Sequence, residues 1–337
     1  MNETRAKTTV LIPIALSVVA LAAAVVGLGV YCIRMPGASF IGELPPLDAA
    51  GQELRGRLTM HVRVLAGQIG ERNANVMPQL SQAADYIEGQ FTGMGFVPSS
   101  QTFGTNEYRN ISVDVYGREQ RGEIIVVGAH YDTVWGTPGA DDNASGVAGM
   151  LEIARALRNR SLKRTVRLIA FVNEEMPFFG GDDMGSIVSA KHSYEHHEKI
   201  VGMFSVEMIG FYSMEARSQY YPRIIRPFYP REGNFIGFVS NLGSRGFLRD
   251  ALGEFRSGAG FPSEGMSAPE WLVPDVRRSD NYSYWRFGYP AVMITDTSNF
   301  RNFNYHNAGD LPNTLDYDRM TRVVSGLTEM ISGLANR

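Results

Sequence analysis

Apolar residues follow two patterns along the chain, and together these predict helices that alternate with buried strands. Helical spacing of apolar residues occurs in five segments: 54–65, 80–94, 147–157, 247–255 and 320–334. Strand-like apolar or β-rich runs occur in five others: 110–116, 123–128, 165–172, 204–206 and 291–295. This alternation predicts an α/β domain with a mixed, mostly parallel central sheet and helices on both faces.

A separate apolar run, Val10 to Ile33, lies near the N-terminus and contains 24 residues without a charge. It is long enough to cross a bilayer as a helix. Arg5 and Lys7 precede it and Arg34 follows, a distribution that favours a cytoplasmic N-terminus. A cleaved signal peptide is the alternative, but the run is longer than a typical signal core. We therefore predict an uncleaved transmembrane signal anchor at 10–33.

The anchor divides the chain into four parts. Residues 1–9 form a cytoplasmic N-terminus, 10–33 the anchor, 34–50 a linker rich in Pro, Gly and Ala, and 51–337 a single domain. This order predicts a single-pass membrane protein whose domain is periplasmic or extracellular. The oligomeric state is left open by the sequence.

Composition narrows the classes of function. Hydrophobic residues make up 44% of the 337 residues and charged residues 20%, which allows a sizeable core. The net charge is −3 with both signs interleaved, unlike the basic surface of a nucleic-acid binder. The single cysteine, Cys32, lies in the apolar run, which excludes an internal disulfide and a thiol nucleophile in the domain.

Polar and acidic residues cluster where the predicted buried strands end. His130 and Asp132 follow one strand, Glu174 and Glu175 a second, and Glu207 a third. In open α/β sheets, ligands bind outside the carboxyl ends of the strands. Carboxylates gathered there would repel one another, and a divalent cation removes that repulsion. Imidazole with carboxylate is a ligand set that zinc accepts, and a carboxylate-bridged metal pair is a known hydrolytic arrangement.

Four ordered motifs make the prediction specific. They are HYD at 130–132, GADDNASG at 139–146, NEE at 173–175 and YH at 305–306. Together they resemble the M28 family of co-catalytic zinc peptidases, particularly its membrane-bound or exported bacterial members. The resemblance extends in order from about residue 60 to the C-terminus, and it implies a zinc-peptidase, phosphorylase/hydrolase-like fold.

The resemblance also implies two zinc ions per chain. Asp142 would bridge them, with His130 and Glu207 completing one ligand set and Glu175 and His306 the other. Family members further suggest a cis peptide bond after the bridging aspartate, here between Asp142 and Asn143.

Three residues match family positions with roles beyond metal binding. Glu174 would take a proton from the attacking water and pass it to the leaving amine. Asp132 would accept the second imidazole N–H of His130 and so fix its tautomer. The hydroxyl of Tyr305 would support the developing oxyanion.

The chain departs from the family pattern at two positions. Glu207 stands where the family often has Asp, and its extra methylene alters the reach of the carboxylate. Asn281 follows Ser279 and Asp280 where many members have His, at a position that is not an expected metal ligand.

The predicted reaction is zinc-dependent hydrolysis of a peptide bond, releasing an N-terminal amino acid from a peptide or protein. Release from the N-terminus rests on the resemblance alone, so a carboxypeptidase or dipeptidase with the same metals remains an alternative. Glutaminyl cyclases share the fold but work with one zinc, and the full ligand set argues against them. A non-catalytic receptor or scaffold would typically have lost ligands or the base. Residues 213–235 and 258–275 are the candidates for setting specificity, whereas His192 and His196 are expected on a solvated helix face.

Overall fold

The computed structural model describes residues 2–337 except Ile224, and it does not describe the side chains of 2–16 and 18. The first helix, α1, is Asn2–Ile33. The predicted anchor at 10–33 and the predicted cytoplasmic segment 1–9 thus fall wholly or partly outside the described side chains. Among the residues that are described, no helix has the length and hydropathy of a membrane span. The anchor stays a prediction.

One eight-stranded sheet organises the domain. Its strands are β1 (Ser99–Phe103), β2 (Tyr108–Val115), β3 (Gln120–His130), β4 (Arg164–Phe171), β5 (Lys199–Glu207), β6 (Ile236–Ser240), β7 (Ser263–Ser267) and β8 (Ala291–Thr295). Their spatial order is β1-β2-β4-β3-β5-β8-β6-β7. The central strands β4, β3, β5 and β8 are mutually parallel, whereas β1 and β2 are antiparallel additions and β6 runs antiparallel to β8. The predicted mixed α/β sheet is confirmed.

Helices cover both faces of this sheet. They are α2 (Ala49–Val62, continued by a π-helical turn at Arg63–Ile69), α3 (Met77–Gly93), α4 (Gly146–Leu157), α5 (Gly185–Glu195), α6 (Arg245–Gly258), α7 (Asn281–Arg286) and α8 (Tyr317–Ala335). Residues of α2, α3, α4, α6 and α8 share the larger hydrophobic core. Residues of α5 and α7 pack in a smaller core on the opposite face.

The central strand β3 is covered on both faces, which explains why apolar and polar residues do not alternate along it. Ile125 and Val127 belong to the larger core, whereas Ile124 and Val126 belong to the smaller one. Successive side chains of a strand point to opposite faces, so a strand covered on both sides is apolar throughout. Because β3, β4, β5 and β8 are parallel, their carboxyl ends meet at one edge of the sheet, which is the edge predicted to carry the site.

The segment predicted as a linker is attached to the domain. α2 begins at Ala49 with Asp48 as its N-cap, and the residues before it run along α6 and the edge strand β7. Nη1 of Arg249 donates to the carbonyl of Arg34 at 2.7 Å, and Nη1 of Arg256 donates to that of Pro36 at 2.9 Å. The edge of the sheet is therefore partly covered by the chain that leaves α1.

Candidate metal centre

His130 is the last residue of β3 and is fully buried. Its Nδ1 lies 3.2 Å from the carbonyl oxygen of Asp132 and 3.6 Å from Oδ1 of the same residue. Either acceptor places the proton on Nδ1 and leaves Nε2 as a free lone pair. The carboxylate of Asp132 accepts the backbone N–H groups of Glu174 and Glu175, each at 3.1 Å. Asp132 therefore ties the end of β3 to the turn that follows β4.

The loop between β3 and α4 carries Asp142. The peptide bond between Asp142 and Asn143 is cis, as the resemblance implied. The Asp310 carboxylate accepts the backbone N–H groups of Asp141 at 2.8 Å and of Asp142 at 3.0 Å. Asn143 donates to the carbonyl of Val206 at 2.8 Å and so joins this loop to β5.

A buried arginine, Arg72, stabilises the same loop through hydrogen bonds to its backbone. Arg72 is fully buried and donates to the backbone carbonyls of Tyr131 at 2.6 Å, Pro138 at 2.6 Å and Gly139 at 2.8 Å. Burial lowers the pKa of Arg72 to about 10, and the nearby charges of Asp310 and Asp132 oppose that shift. The guanidinium thus stays charged at neutral pH. Neither Arg72 nor Asp310 belongs to a sequence motif, and the loop residues that each contacts are distant in the sequence.

The five predicted metal ligands form two groups of three that share Asp142: His130, Asp142 and Glu207, and Asp142, Glu175 and His306. In the first group, Nε2 of His130 lies 3.3 Å from Oδ1 of Asp142 and 3.2 Å from Oε2 of Glu207. In the second, Nε2 of His306 lies 3.1 Å from Oδ2 of Asp142 and 3.4 Å from Oε1 of Glu175. Both groups lie at the carboxyl edge of the parallel strands.

These distances suit a metal better than hydrogen bonds. Nε2 of His130 and Oδ1 of Asp142 are buried and have no hydrogen-bond partner among the described residues. With zinc–ligand bonds of about 2.0–2.1 Å, neighbouring ligand atoms of a tetrahedron are about 3.3 Å apart. Three protein ligands per group also leave a position open, as hydrolytic zinc sites require. The residues present fit zinc.

Electrostatics point the same way. Burial opposes protonation of His130, but the charges of Glu207 and Glu174 outweigh it and raise its pKa well above the ordinary value. Burial, followed by the charge of Asp142, raises the pKa of Glu175 to about 7. Without a cation, His130 and Glu175 would retain protons that balance the negative charge of the cluster. A bound divalent cation would replace those protons.

Glu174 lies beside the first group and is 5% exposed. Its Oε2 is 3.9 Å from Nε2 of His130. Burial raises its pKa well above the ordinary value, His130 opposes the shift, and the charges of Glu175 and Glu207 add to it.

Tyr305 stacks on the ring of His306 with centroids 3.7 Å apart, and its hydroxyl accepts a hydrogen bond from Nη2 of Arg278 at 3.1 Å. Burial and the charge of Asp142 raise the pKa of Tyr305, so the hydroxyl stays protonated and can donate.

Glu207, the departure from the common aspartate, has hydrogen-bonding partners of its own. Oγ of Ser279 donates to its Oε2 at 2.8 Å, and Ser279 is in turn 2.8 Å from Oγ of Ser205. Nδ2 of Asn143 lies 3.4 Å from the same Oε2. Asn281, the second departure, belongs to neither ligand group and donates to a backbone carbonyl instead. His192 and His196 also lie outside both groups, with their rings stacked on the exposed end of α5.

A pocket opens beside Glu207 and runs across one face of β8, β6 and β7; we call it the lateral pocket. It holds about 850 Å³ including its open mouth. Its floor consists of Met293, Thr295, Gly237, Val239, Glu264 and Met266. Both segments predicted to set specificity contribute to its lining, through residues such as Tyr221, Ile225 and Val273.

Comparison with known proteins identifies a family and several relatives. The model of peptidase family M28 matches residues 110–331. The uncharacterized protein YfbL of Escherichia coli K12 is 37% identical over 82% of this chain and 87% of its own length. Aminopeptidase YwaD of Bacillus subtilis is 36% identical over 59% of this chain, but the match spans only 42% of YwaD. The structure of BSAP, a zinc aminopeptidase from Bacillus subtilis, superposes with a TM-score of 0.69 at 15% identity, covering 84% of this chain and 95% of that one.

Proposed function

Because the chain belongs to peptidase family M28, we propose that this zinc-dependent peptide hydrolase is an aminopeptidase that binds two zinc ions per chain. The observation that carries the proposal is the pair of ligand groups sharing Asp142, with the buried carboxylate of Glu174 beside them. His130 and Glu207 would hold one ion, and Glu175 and His306 the other. Zinc bound there would polarise the scissile carbonyl and lower the pKa of the attacking water.

Glu174 is the group best placed to move the proton. Its pKa is raised by burial, which makes it a stronger base than a solvated carboxylate. We assign it to accept the proton of the attacking water and to deliver it to the leaving amine. Asp132 accepts the backbone N–H of Glu174 through its carboxylate and lies next to Nδ1 of His130 through its carbonyl. It therefore orients both the base and the imidazole.

We assign the hydroxyl of Tyr305 to stabilising the oxyanion that develops on the scissile carbonyl. Its ring is stacked on His306, and its hydroxyl accepts from Arg278, which leaves the phenolic proton available to a substrate oxygen. A preorganised donor of this kind contributes most where charge develops during the reaction.

Charge around the site favours an aminopeptidase over a carboxypeptidase. A substrate's terminal carboxylate needs an unengaged cation, and Arg278 is the cation among the residues lining the lateral pocket. Its N–H groups already donate to Asp275 at 3.1 Å, Asn299 at 3.0 Å and Tyr305 at 3.1 Å. Carboxylates are abundant at the site, which suits the positive amine of an N-terminus. The names of YwaD and BSAP agree with this assignment.

We also propose that residues 10–33 anchor the chain in a membrane and hold the domain outside the cytoplasm. Support comes from the uncharged apolar run of 24 residues and its flanking basic residues. Membrane fractions extracted with carbonate and then with detergent test this: an anchored chain leaves the membrane only with detergent. Release by carbonate alone would refute the anchor.

The function is tested with Glu174→Gln, which keeps the shape of the side chain and removes the base. We expect about two zinc ions per chain in both proteins, and turnover of free-amine aminoacyl substrates reduced by about 10²- to 10⁴-fold in the variant. Glu195→Gln, an exchange on the exposed end of α5, is the matched control and should leave both unchanged. Equal activity of Glu174→Gln and wild type would remove Glu174 from its role. Cleavage of N-blocked but not free-amine peptides would overturn the aminopeptidase assignment.

A further inference from the structure

The lateral pocket follows a row of residues that crosses four strands. Glu207 on β5 pairs with Thr295 on β8, Thr295 pairs with Gly237 on β6, and Gly237 pairs with Glu264 on β7. Residues paired directly across strands share one face of the sheet. A proposed metal ligand and a second carboxylate therefore stand at the two ends of one row.

The space between these ends is open and apolar. Gly237 contributes no side chain at the middle of the row, and the next row along the strands supplies Met293, Val239 and Met266. Ile225 from the covering segment lines the same space. A substrate side chain entering from the Glu207 end would pass Thr295 and then meet hydrocarbon.

The length of the row suits a long side chain. Neighbouring strands are about 4.8 Å apart, so three steps separate the Cα atoms of Glu207 and Glu264 by about 14 Å. An extended arginine or lysine side chain spans about 6–7 Å from its Cα to the cationic group at ordinary bond lengths. The remainder accommodates the substrate backbone near Glu207 and the side chain of Glu264. A leucine side chain would end well short of Glu264.

Glu264 has unused capacity to accept hydrogen bonds. Oγ of Ser39 accepts the backbone N–H of Ser263, the residue before Glu264, at 2.9 Å. Burial raises the pKa of Glu264, while the charge of Arg256 and the side chain of Ser39 oppose that shift. Nη2 of Arg256 forms an ion pair with Oε2 of Glu264 at 3.8 Å, which is beyond hydrogen-bond distance. Its N–H groups donate instead to the carbonyls of Ser263 at 2.6 Å and Pro36 at 2.9 Å. A carboxylate offers about four lone-pair sites, so positions on Glu264 stay available to a ligand.

Two further observations point to a polar, positively charged ligand group. The hydroxyl of Tyr221, a lining residue, is buried without a hydrogen-bond partner among the described residues. The charged residues that line the pocket are Glu207, Glu264, Asp275 and Arg278. Glu207 is a proposed metal ligand, so Glu264 and Asp275 are the carboxylates left to face a ligand. Arg278 is engaged by Asp275 at 3.1 Å.

We propose that the lateral pocket receives the N-terminal side chain of the substrate, and that Glu264 makes it selective for arginine and lysine. The apolar middle of the pocket packs against the methylene stem, and the Glu264 carboxylate accepts the terminal N–H groups. This inference rests on the proposed aminopeptidase function and names the substrate class of that same site. Ser39, which follows the proposed anchor, becomes a positioning residue for Glu264.

The test compares wild type with Glu264→Gln on arginine, lysine, leucine and phenylalanine p-nitroanilides. We expect wild type to prefer the basic substrates. Glu264→Gln should lower kcat/KM for them by about 10- to 100-fold, the effect of losing a hydrogen bond between charged groups. Leucine and phenylalanine substrates should change by less than about threefold. Ser39→Ala should shift the ratio in the same direction by a smaller factor, and Glu195→Gln should leave it unchanged. Zinc content and thermal denaturation establish that each variant is folded.

Binding gives a second readout that does not depend on turnover. Calorimetry with arginine amide and leucine amide should show that Glu264→Gln lowers the affinity for arginine amide only. If no aminoacyl substrate is cleaved while this selective loss of binding is seen, the aminopeptidase assignment fails and the pocket stands. If wild type prefers leucine, or if Glu264→Gln affects basic and apolar compounds equally, the role of Glu264 is refuted even though the enzyme is an aminopeptidase.

Discussion

Replacing Glu152 with glutamine removes the negative charge from a buried network that holds α4 against α2. Oε2 of Glu152 accepts from Nε of Arg57 at 2.6 Å, and Oε1 accepts from Nε of Arg155 at 3.0 Å. Oε1 also lies 3.1 Å from Nε2 of His61, whose Nδ1 is 2.7 Å from the hydroxyl of Tyr86. The network matters for function because α4 begins directly after the loop that carries the proposed bridging ligand.

The size of the effect follows from the pKa of Glu152. Burial raises this pKa, but hydrogen bonds from His61, Arg57 and Arg155 outweigh it and lower the value from 4.5 to about 2. A carboxyl whose pKa is lower in the folded state stabilises the fold above its unfolded pKa. That contribution disappears as the pH falls through the folded pKa. The shift in pKa corresponds to a contribution to the free energy of unfolding of about 3 kcal/mol at pH 7 and about 2 kcal/mol at pH 3.5.

Urea denaturation of wild type and Glu152→Gln, at pH 7 and at pH 3.5, measures this difference. The variant should be less stable by about 3 kcal/mol at pH 7 and by about 2 kcal/mol at pH 3.5. Glu329→Gln is the control, because Glu329 pairs with Arg160 at 2.6 Å on the surface and its side chain is 64% exposed. An exposed pair contributes at most about 1 kcal/mol. Equal losses for the two variants, or a loss for Glu152→Gln that does not depend on pH, would show that the ionised Glu152 carboxylate does not stabilise the fold.

Two further changes probe the site directly. Ser279→Ala removes the hydroxyl that donates to Glu207 at 2.8 Å, and we expect the affinity for zinc, measured by competition with a chelator, to fall about 10-fold; an unchanged affinity would show that Ser279 does not orient Glu207. Gly146→Ala would place a Cβ against the carbonyl oxygen of Val206, so it should lower both stability and zinc content, whereas Gly122→Ala meets no neighbouring atom and should alter neither. Similar behaviour of the two alanine variants in thermal denaturation and metal analysis would contradict this.

The parts of the fold that sequence analysis predicted are those with strong periodic patterns. The apolar run that became β3 is covered on both faces, and α8 repeats apolar residues at helical spacing, so each has one interpretation. β7 has the sequence Ser-Glu-Gly-Met-Ser and lies within the predicted specificity segment 258–275. A short polar edge strand has no apolar pattern that would predict it. Its place is determined by pairing with β6, which is not visible in the local sequence.

The residues of the candidate site likewise comprise some that the sequence predicts and others that it does not. The five proposed ligands were identified because each follows a strand or belongs to a motif, and the structure brings them into two groups. Arg72 and Asp310 have no sequence signal, because the backbone groups of the site that they contact lie more than 50 residues away in the chain. The sequence does not predict the contact between Ser279 and Glu207, because it depends on how the segment after β7 returns to the sheet edge.

An anomalous difference map at the zinc edge, from crystals of the zinc-loaded protein, would show directly whether two metal ions share Asp142. We expect two peaks about 3.5–4 Å apart on either side of the Asp142 carboxylate. One should lie between His130 and Glu207, and the other between Glu175 and His306. A single peak, or zinc bound away from Asp142, would contradict the proposed pair of zinc ions.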